Sequence, residues 1–454
     1  LVYLALFASI ASAEPYQAFA LNTKLPIWSV AARDVTGDGK AEIFAICCDD
    51  KSDPLQKFVA VFHPNDTGAY SADPSFTIDL DPSVSALFFA ETDGRPPVEL
   101  IAAEAEGAME FHFTETGFTK GAKHNFASLY PSGAKHPLLL KTASEDLDGD
   151  GVDEWIIPVP GGYEIRSPKK SLARVKCDTA SDISNSEGVY ITHRLPSCKT
   201  FTLPGEQHKC LAFLSDEYAD FAHGDNWSKT NRFKIPVNAE DKWQAITRAA
   251  DINADGLPDL VVTFLKGTMH PKTSTQVFIA TAPFTYPTTP NAKFDSSGAV
   301  SSPAVEDVDG DGKMDLVFMT VQLGVSNIIN YFLRGKVSAS VDVHLFKDGA
   351  FSNKPTFSES ALLDAPETRE HEVFALGDFN GDGRMDAAFG QSANKLVIRT
   401  GSAEQFVSPK PWVELDIPSF GDADAVDLNG NKAKDLLLCH PSGKNKTRLD
   451  VVLF

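Results

Sequence analysis

Apolar and polar residues alternate in short runs along most of this chain. Val373-Phe374-Ala375-Leu376, Lys395-Leu396-Val397-Ile398-Arg399 and Trp412-Val413-Glu414-Leu415-Asp416-Ile417 are typical, with Gly, Pro, Asn and Asp between them. A two-residue period sends alternate side chains into a core, so these runs predict β-strands separated by tight turns. The predicted fold class is all-β.

The strands come in groups marked by one recurring pattern. It reads DVTGDGKAE at 34–42, DLDGDGVDE at 146–154, DINADGLPD at 251–259, DVDGDGKMD at 307–315, DFNGDGRMD at 378–386 and DLNGNKAKD at 427–435. A seventh copy, ETDGRPPVE at 91–99, keeps the frame without the chemistry. Starts at 34, 91, 146, 251, 307, 378 and 427 lie 49 to 71 residues apart, except for one interval of 105. Each copy has an alternating run before it, a second directly after it and two more before the next. Four strands per repeat is the pattern of a propeller blade, which buries its faces only by stacking on neighbours around an axis. A single β-propeller of four-stranded blades therefore accounts for the whole length.

The long interval is read as a blade without the loop. Tyr190–His193 would finish one blade; Lys199–Leu203, Cys210–Leu214, Ala219–Phe221 and Phe233–Ile235 would form the next, giving eight. Seven blades with an insertion at about 167–230 is the alternative. After Asp435 the chain holds only two more strands, Leu436–Cys439 and Leu449–Phe454. Tyr16–Leu21 is thus expected to complete the last blade and close the ring, which protects edges that would otherwise seek partners.

Composition narrows the function. Acidic residues number 62 against 41 Lys and Arg, a net charge of −21, and 43% of the chain is hydrophobic. That excludes global disorder, and it argues against a nucleic-acid partner, which needs clustered cations. Beyond the N-terminus no apolar run approaches the roughly 20 residues of a membrane helix. Residues 1–13, ending Ala11-Ser12-Ala13, read as the remainder of a secretory signal, leaving 14–454 as the propeller in a secreted, periplasmic or cell-surface setting. Among six cysteines, one bridge is expected within Cys177, Cys198 and Cys210, and Cys47 or Cys48 would meet Cys439 if the chain ends adjoin. Asn65, Asn226 and Asn445 begin glycosylation sequons.

The loops suit calcium, a hard cation that takes 6–8 oxygen ligands at about 2.3–2.6 Å. Positions 1, 3, 5 and 9 offer side-chain oxygens, position 7 a carbonyl, and Gly at position 6 the sharp turn. Four sets are complete: Asp146, Asp148, Asp150 and Glu154; Asp251, Asn253, Asp255 and Asp259; Asp307, Asp309, Asp311 and Asp315; Asp378, Asn380, Asp382 and Asp386. Two are weaker: Asp34, Thr36, Asp38 and Glu42, and Asp427, Asn429, Asn431 and Asp435, where Lys432 replaces Gly. The copy at 91–99 has Arg95 at its centre and is expected to hold no metal. An EF-hand would need Glu at position 12; Ala45, Ile157, Val262, Phe318, Phe389 and Leu438 stand there, so that reading fails. Nineteen acids in the six loops account for nearly all the excess negative charge.

These motifs resemble the FG-GAP/VCBS repeats, the calcium-loop propellers also seen in integrin α-subunit heads. The resemblance implies calcium in the hairpin loops between the first two strands of each blade, and extracellular adhesion, ligand-binding or scaffold roles. The FG and GAP flanks are only partly present, Phe389-Gly390 being nearest, so no integrin-like partner is inferred.

No HExxH, GxSxG or P-loop occurs, and the chain is expected to be a binding module and not an enzyme. Candidate ligand contacts are side chains at the start of the innermost strands, opposite the loops: Trp28, His136, Trp243 and His371. The expected partner is an extracellular protein or carbohydrate. The competing reading is a polysaccharide lyase or lectin on the same scaffold, for which His193, Arg194 and His208 are the only candidates.

Overall fold

A computed structural model describes residues 15–454 apart from 50, 53–54, 185–189, 237–242, 268–271, 298, 301, 322–335, 365–372 and 442. The expected signal segment and His371 lie outside the described residues. Eight antiparallel sheets, each of four strands at its core, stand in a ring. The innermost strands are Ile27–Arg33, Ala86–Ala90, Ser144–Glu145, Ser197–Phe201, Gln244–Ala250, Ala304–Glu306, Phe374–Gly377 and Asp422–Val426, numbered here as blades 1 to 8. The helical segments among the described residues are 3-10 turns at Asp225–Trp227 and Gly443–Asn445.

Burial follows distance from the axis. Second strands such as Glu154–Val159 are buried throughout, because adjacent blades cover both faces; this is why they read as continuous apolar runs. Fourth strands such as Lys229–Lys234 are largely exposed and polar. The core divides into eight apolar clusters, one in each gap between neighbouring blades. The cluster between blades 8 and 1 joins Leu437, Leu449 and Val451 to Ile43, Ala45 and Phe62, so the ring is closed. Closure uses the N-terminal strand as expected: Gln17–Asn22 is the outer strand of blade 8, with Gln17 opposite Leu453 and Leu21 opposite Leu449.

The long interval holds a complete blade 4, Ser197–Phe201, Cys210–Leu214, Tyr218–His223 and Lys229–Lys234, so eight blades is correct. One strand assignment is corrected. Blade 3 ends with Ser171–Lys176, which pairs with Gly162–Arg166; Tyr190–Arg194 instead pairs with Ala180–Ser184 in a separate hairpin between blades 3 and 4. The expected disulfides are also absent, and all six cysteines are free. Cys198 faces Phe213 and Cys210 faces Phe201, three rungs apart, about 10 Å at 3.3 Å per residue and beyond disulfide reach. Cys177 and Cys198 share one cluster, and Cys47 and Cys439 share the one at ring closure, as unbridged thiols.

Candidate functional site

Two surfaces concentrate the chemistry: the loops joining first and second strands on one face, and the mouth of the channel on the other. The loops share one geometry. At position 1, Asp307 accepts the Gly310 N–H at 2.8 Å through Oδ1 and the Gly312 N–H at 2.9 Å through Oδ2. Asp34, Asp146, Asp378 and Asp427 hold the amides at positions 4 and 6 in the same way. Both amides point inward because positions 4 and 6 have positive φ, 75° at Gly310 and 82° at Gly312. Position 4 is also crowded: a Cβ at Gly310 would meet the Gly383 carbonyl at 2.3 Å, and one at Gly430 the Gly39 carbonyl at 2.3 Å. Glycine at position 4 recurs in every copy except the one with Ala254.

Position 9 has a structural task in addition to its expected one. Asp259, Asp315, Asp386 and Asp435 are wholly buried, and each carboxylate bridges two stretches of backbone. One oxygen accepts the N–H at position 2: Ile252 at 2.9 Å, Val308 at 2.9 Å, Phe379 at 3.0 Å and Leu428 at 2.7 Å. The other accepts an N–H beyond the third strand: Ala280 at 2.7 Å, Phe346 at 2.7 Å, Gly401 at 2.8 Å and Phe454 at 2.9 Å. Glu42 makes the same bridge with Val35 N–H and, at 2.7 Å, His63 Nδ1. In the degenerate loop Glu99 still accepts Thr92 N–H and lies 3.2 Å from His112 Nδ1. The bridge persists where the metal-ligand pattern is lost, so position 9 acts as a structural staple in its own right.

The loops also join blade to blade. The position-8 amide donates to a carbonyl at position 2 or 1 of the preceding blade's loop: Ala41 to Leu428, Val98 to Val35, Asp153 to Glu91, Met314 to Ile252, Met385 to Val308 and Lys434 to Asp378. Lys209 of blade 4 reaches Leu147 in the same manner. The belt lapses between blades 4 and 5, where position 8 is Pro258 and no donor exists.

Two loops gather carboxylate oxygens within 4.8 Å of one another: Asp146, Asp148 and Glu154, and Asp307, Asp309 and Asp311. Asp309 Oδ1 is buried with no hydrogen-bond partner, while its other oxygen lies 3.1 Å from Lys347 Nζ. A buried bare carboxylate oxygen among two more acids fits a hard divalent cation. Burial, and then the neighbouring loop acids, push Glu154 and Asp259 up to about 7, and Asp315 and Asp386 up to about 6. In the last loop Asn431 Nδ2 and Asn429 Nδ2 donate to the Phe454 carbonyl, at 2.7 and 3.2 Å, turning toward the chain end.

On the opposite face, Trp28 and His136 come together, their rings stacked at 3.7 Å and 16°. Trp243 is separate, lining a cavity of about 390 Å³ with Phe264, Lys272 and Lys293. Three further cavities of about 710, 560 and 490 Å³ all reach Ser197, at the start of the blade 4 inner strand. Among the described residues the exposed large apolar side chains are Trp28, Leu138 and Ile246, at 51%, 55% and 43%; Trp28 and Ile246 lie on innermost strands, and Leu138 on the short strand Leu138–Leu139, which pairs parallel to Ala86–Ala90 on its inner side. His193, 2.8 Å from Ser181 Oγ, and Arg194 border these cavities, whereas His208 sits by Trp227 in the turn at the other end of blade 4. Of the residues proposed for a lyase, His193 and Arg194 thus share these cavities and His208 stands apart from them.

Residues 251–318 match the FG-GAP-like repeat family model. No curated protein matches the chain in sequence. Among solved structures, the Vibrio cholerae biofilm matrix protein Bap1 is 10% identical, with 95% of this chain and 88% of that one covered and a TM-score of 0.42. The Dos1 propeller is 10% identical over 97% and 95%, TM-score 0.37. BBS1N, solved in complex with ARL6DN, is 10% identical over 82% and 94%, TM-score 0.39. The strand order makes the chain an eight-bladed β-propeller, and residues 251–318 within it match the FG-GAP-like repeat.

Proposed function

We propose that this chain is a calcium-binding propeller working outside the cytoplasm as a binding, adhesion or scaffold module, without catalysis of its own. The observation that carries the reading is the division between the two faces. One face carries the acidic loops that tie blades together; the other carries contiguous cavities and the exposed apolar side chains. Cation binding to native loops adds folding free energy by mass action, so calcium would brace the ring while the channel face meets a ligand. Extracellular calcium modules bind at around 10⁻⁴–10⁻³ M, so a propeller of this kind would fill its loops where calcium is abundant. Among the described residues no helix is long and apolar enough to cross a membrane.

The test is native mass spectrometry across a calcium series, paired with binding to immobilised polysaccharides and extracellular proteins. About four firmly held ions and two weaker ones are expected, with ligand retention that falls when Trp28→Ala removes the exposed ring. A calcium-free spectrum at millimolar calcium overturns the metal reading. Retention that ignores every substitution on the channel face overturns the assignment of that face.

A further inference from the structure

The channel cavity of about 710 Å³ contains three charged groups from three blades: Lys199, Arg248 and Glu306. Its volume falls within the range of small-ligand sites. None of the three is spent on another. Lys199 Nζ donates one bond, to the Ala249 carbonyl at 3.0 Å, and Arg248 donates Nε–H to Ser302 Oγ at 3.1 Å. Among the described residues Arg248 donates no other bond, and the Glu306 carboxylate accepts none and lies within 4 Å of no cation. The three nevertheless feel one another: Glu306 is attracted by both cations, and Lys199 is repelled by Arg248. Partial burial pushes the Lys199 ammonium down and the Glu306 carboxyl up, while all three side chains stay open to solvent and so to a ligand entering the cavity. Ile246, Phe374 and Leu376 supply an apolar wall.

Two cations against one carboxylate leave one net positive charge, in a chain that is otherwise strongly acidic. A dianion such as phosphate would meet Glu306, and a neutral sugar would leave both cations unpaired. A monoanion with hydroxyls answers all three groups, its carboxylate on Lys199 and Arg248 and a hydroxyl donating to Glu306. We infer that the channel binds a sugar acid of the uronate class through Lys199, Arg248 and Glu306. The inference rests on the binding-module reading and names its ligand class.

Isothermal titration of the full chain in calcium with glucuronate, glucose and inorganic phosphate tests it. Glucuronate should bind saturably, and Lys199→Gln or Arg248→Gln should each weaken it at least ten-fold, while Glu306→Gln should raise the affinity for phosphate. Rising salt should weaken glucuronate binding, and saturation-transfer NMR on the wild-type chain gives an independent readout. Absence of saturable binding, glucose or phosphate binding as tightly as glucuronate, or variants within two-fold of wild type overturns the site. The loops are untouched, so an unchanged calcium-dependent melt certifies each variant's fold. A chain that retains an immobilised polysaccharide yet ignores glucuronate loses this site and keeps the module reading. One that binds neither loses both.

Discussion

Asp435 separates the staple from the metal site, because it lies in the loop least suited to calcium. Its carboxylate is wholly buried and ties Leu428 N–H to Phe454 N–H, fastening loop and chain end within the blade that closes the ring. Asp435→Ala strips both amides of their acceptor, at about 1–3 kcal/mol for each buried unsatisfied group. Burial pushes the carboxyl up to about 6 from 3.8. A folded-state value above the unfolded one means that stability is complete below about pH 4 and declines as pH rises through about 6. A shift of roughly 2 units corresponds to about 3 kcal/mol. The substitution should therefore cost about 2–6 kcal/mol near pH 4, and about 3 kcal/mol less at pH 8. With an unfolding entropy near 2.1 cal/mol/K per residue over about 440 residues, 1 kcal/mol is roughly 1 °C in Tm. Thermal melts in chelator, from pH 4 to 8, provide the assay. A variant that melts with wild type at every pH, or loses more at pH 8 than at pH 4, refutes the reasoning.

Chelation at neutral pH should lower Tm: four sites at a hundred times Kd give about 2.7 kcal/mol each, or roughly 12 °C together, and a melt insensitive to both chelator and calcium rejects structural metal. Lys432 is held at φ 76° where other loops have glycine, so Lys432→Gly should relieve about 1–3 kcal/mol of strain and raise Tm by about as many degrees. Leu21, wholly buried in the closing strand, should cost about 2–5 kcal/mol as Leu21→Ala and speed proteolysis near the termini; unchanged proteolysis would mean that the N-terminal strand does not seal the ring.

Much of the architecture is written locally. The period-two runs specify strands, the spacing of the Asp-Gly loops specifies blades, and two strands after Asp435 specify that the N-terminus must supply a third. The turn at each loop is equally local, since a position-1 Asp can reach amides only three and five residues on. Other features depend on partners distant in sequence. That position 9 also staples two stretches of backbone depends on an amide 15 to 31 residues away, at Gly401, Phe454, Ala280 or Phe346. The hairpin at 180–194 and blade 3's true fourth strand share the same alternation, so register alone distinguishes them. Lys199, Arg248 and Glu306 carry no motif, and only the ring's closure turns three separate inner strands toward one cavity. Periodicity and turn chemistry act over a few residues and so survive in one dimension, whereas a site shared between blades exists only once the sheets are packed around their axis.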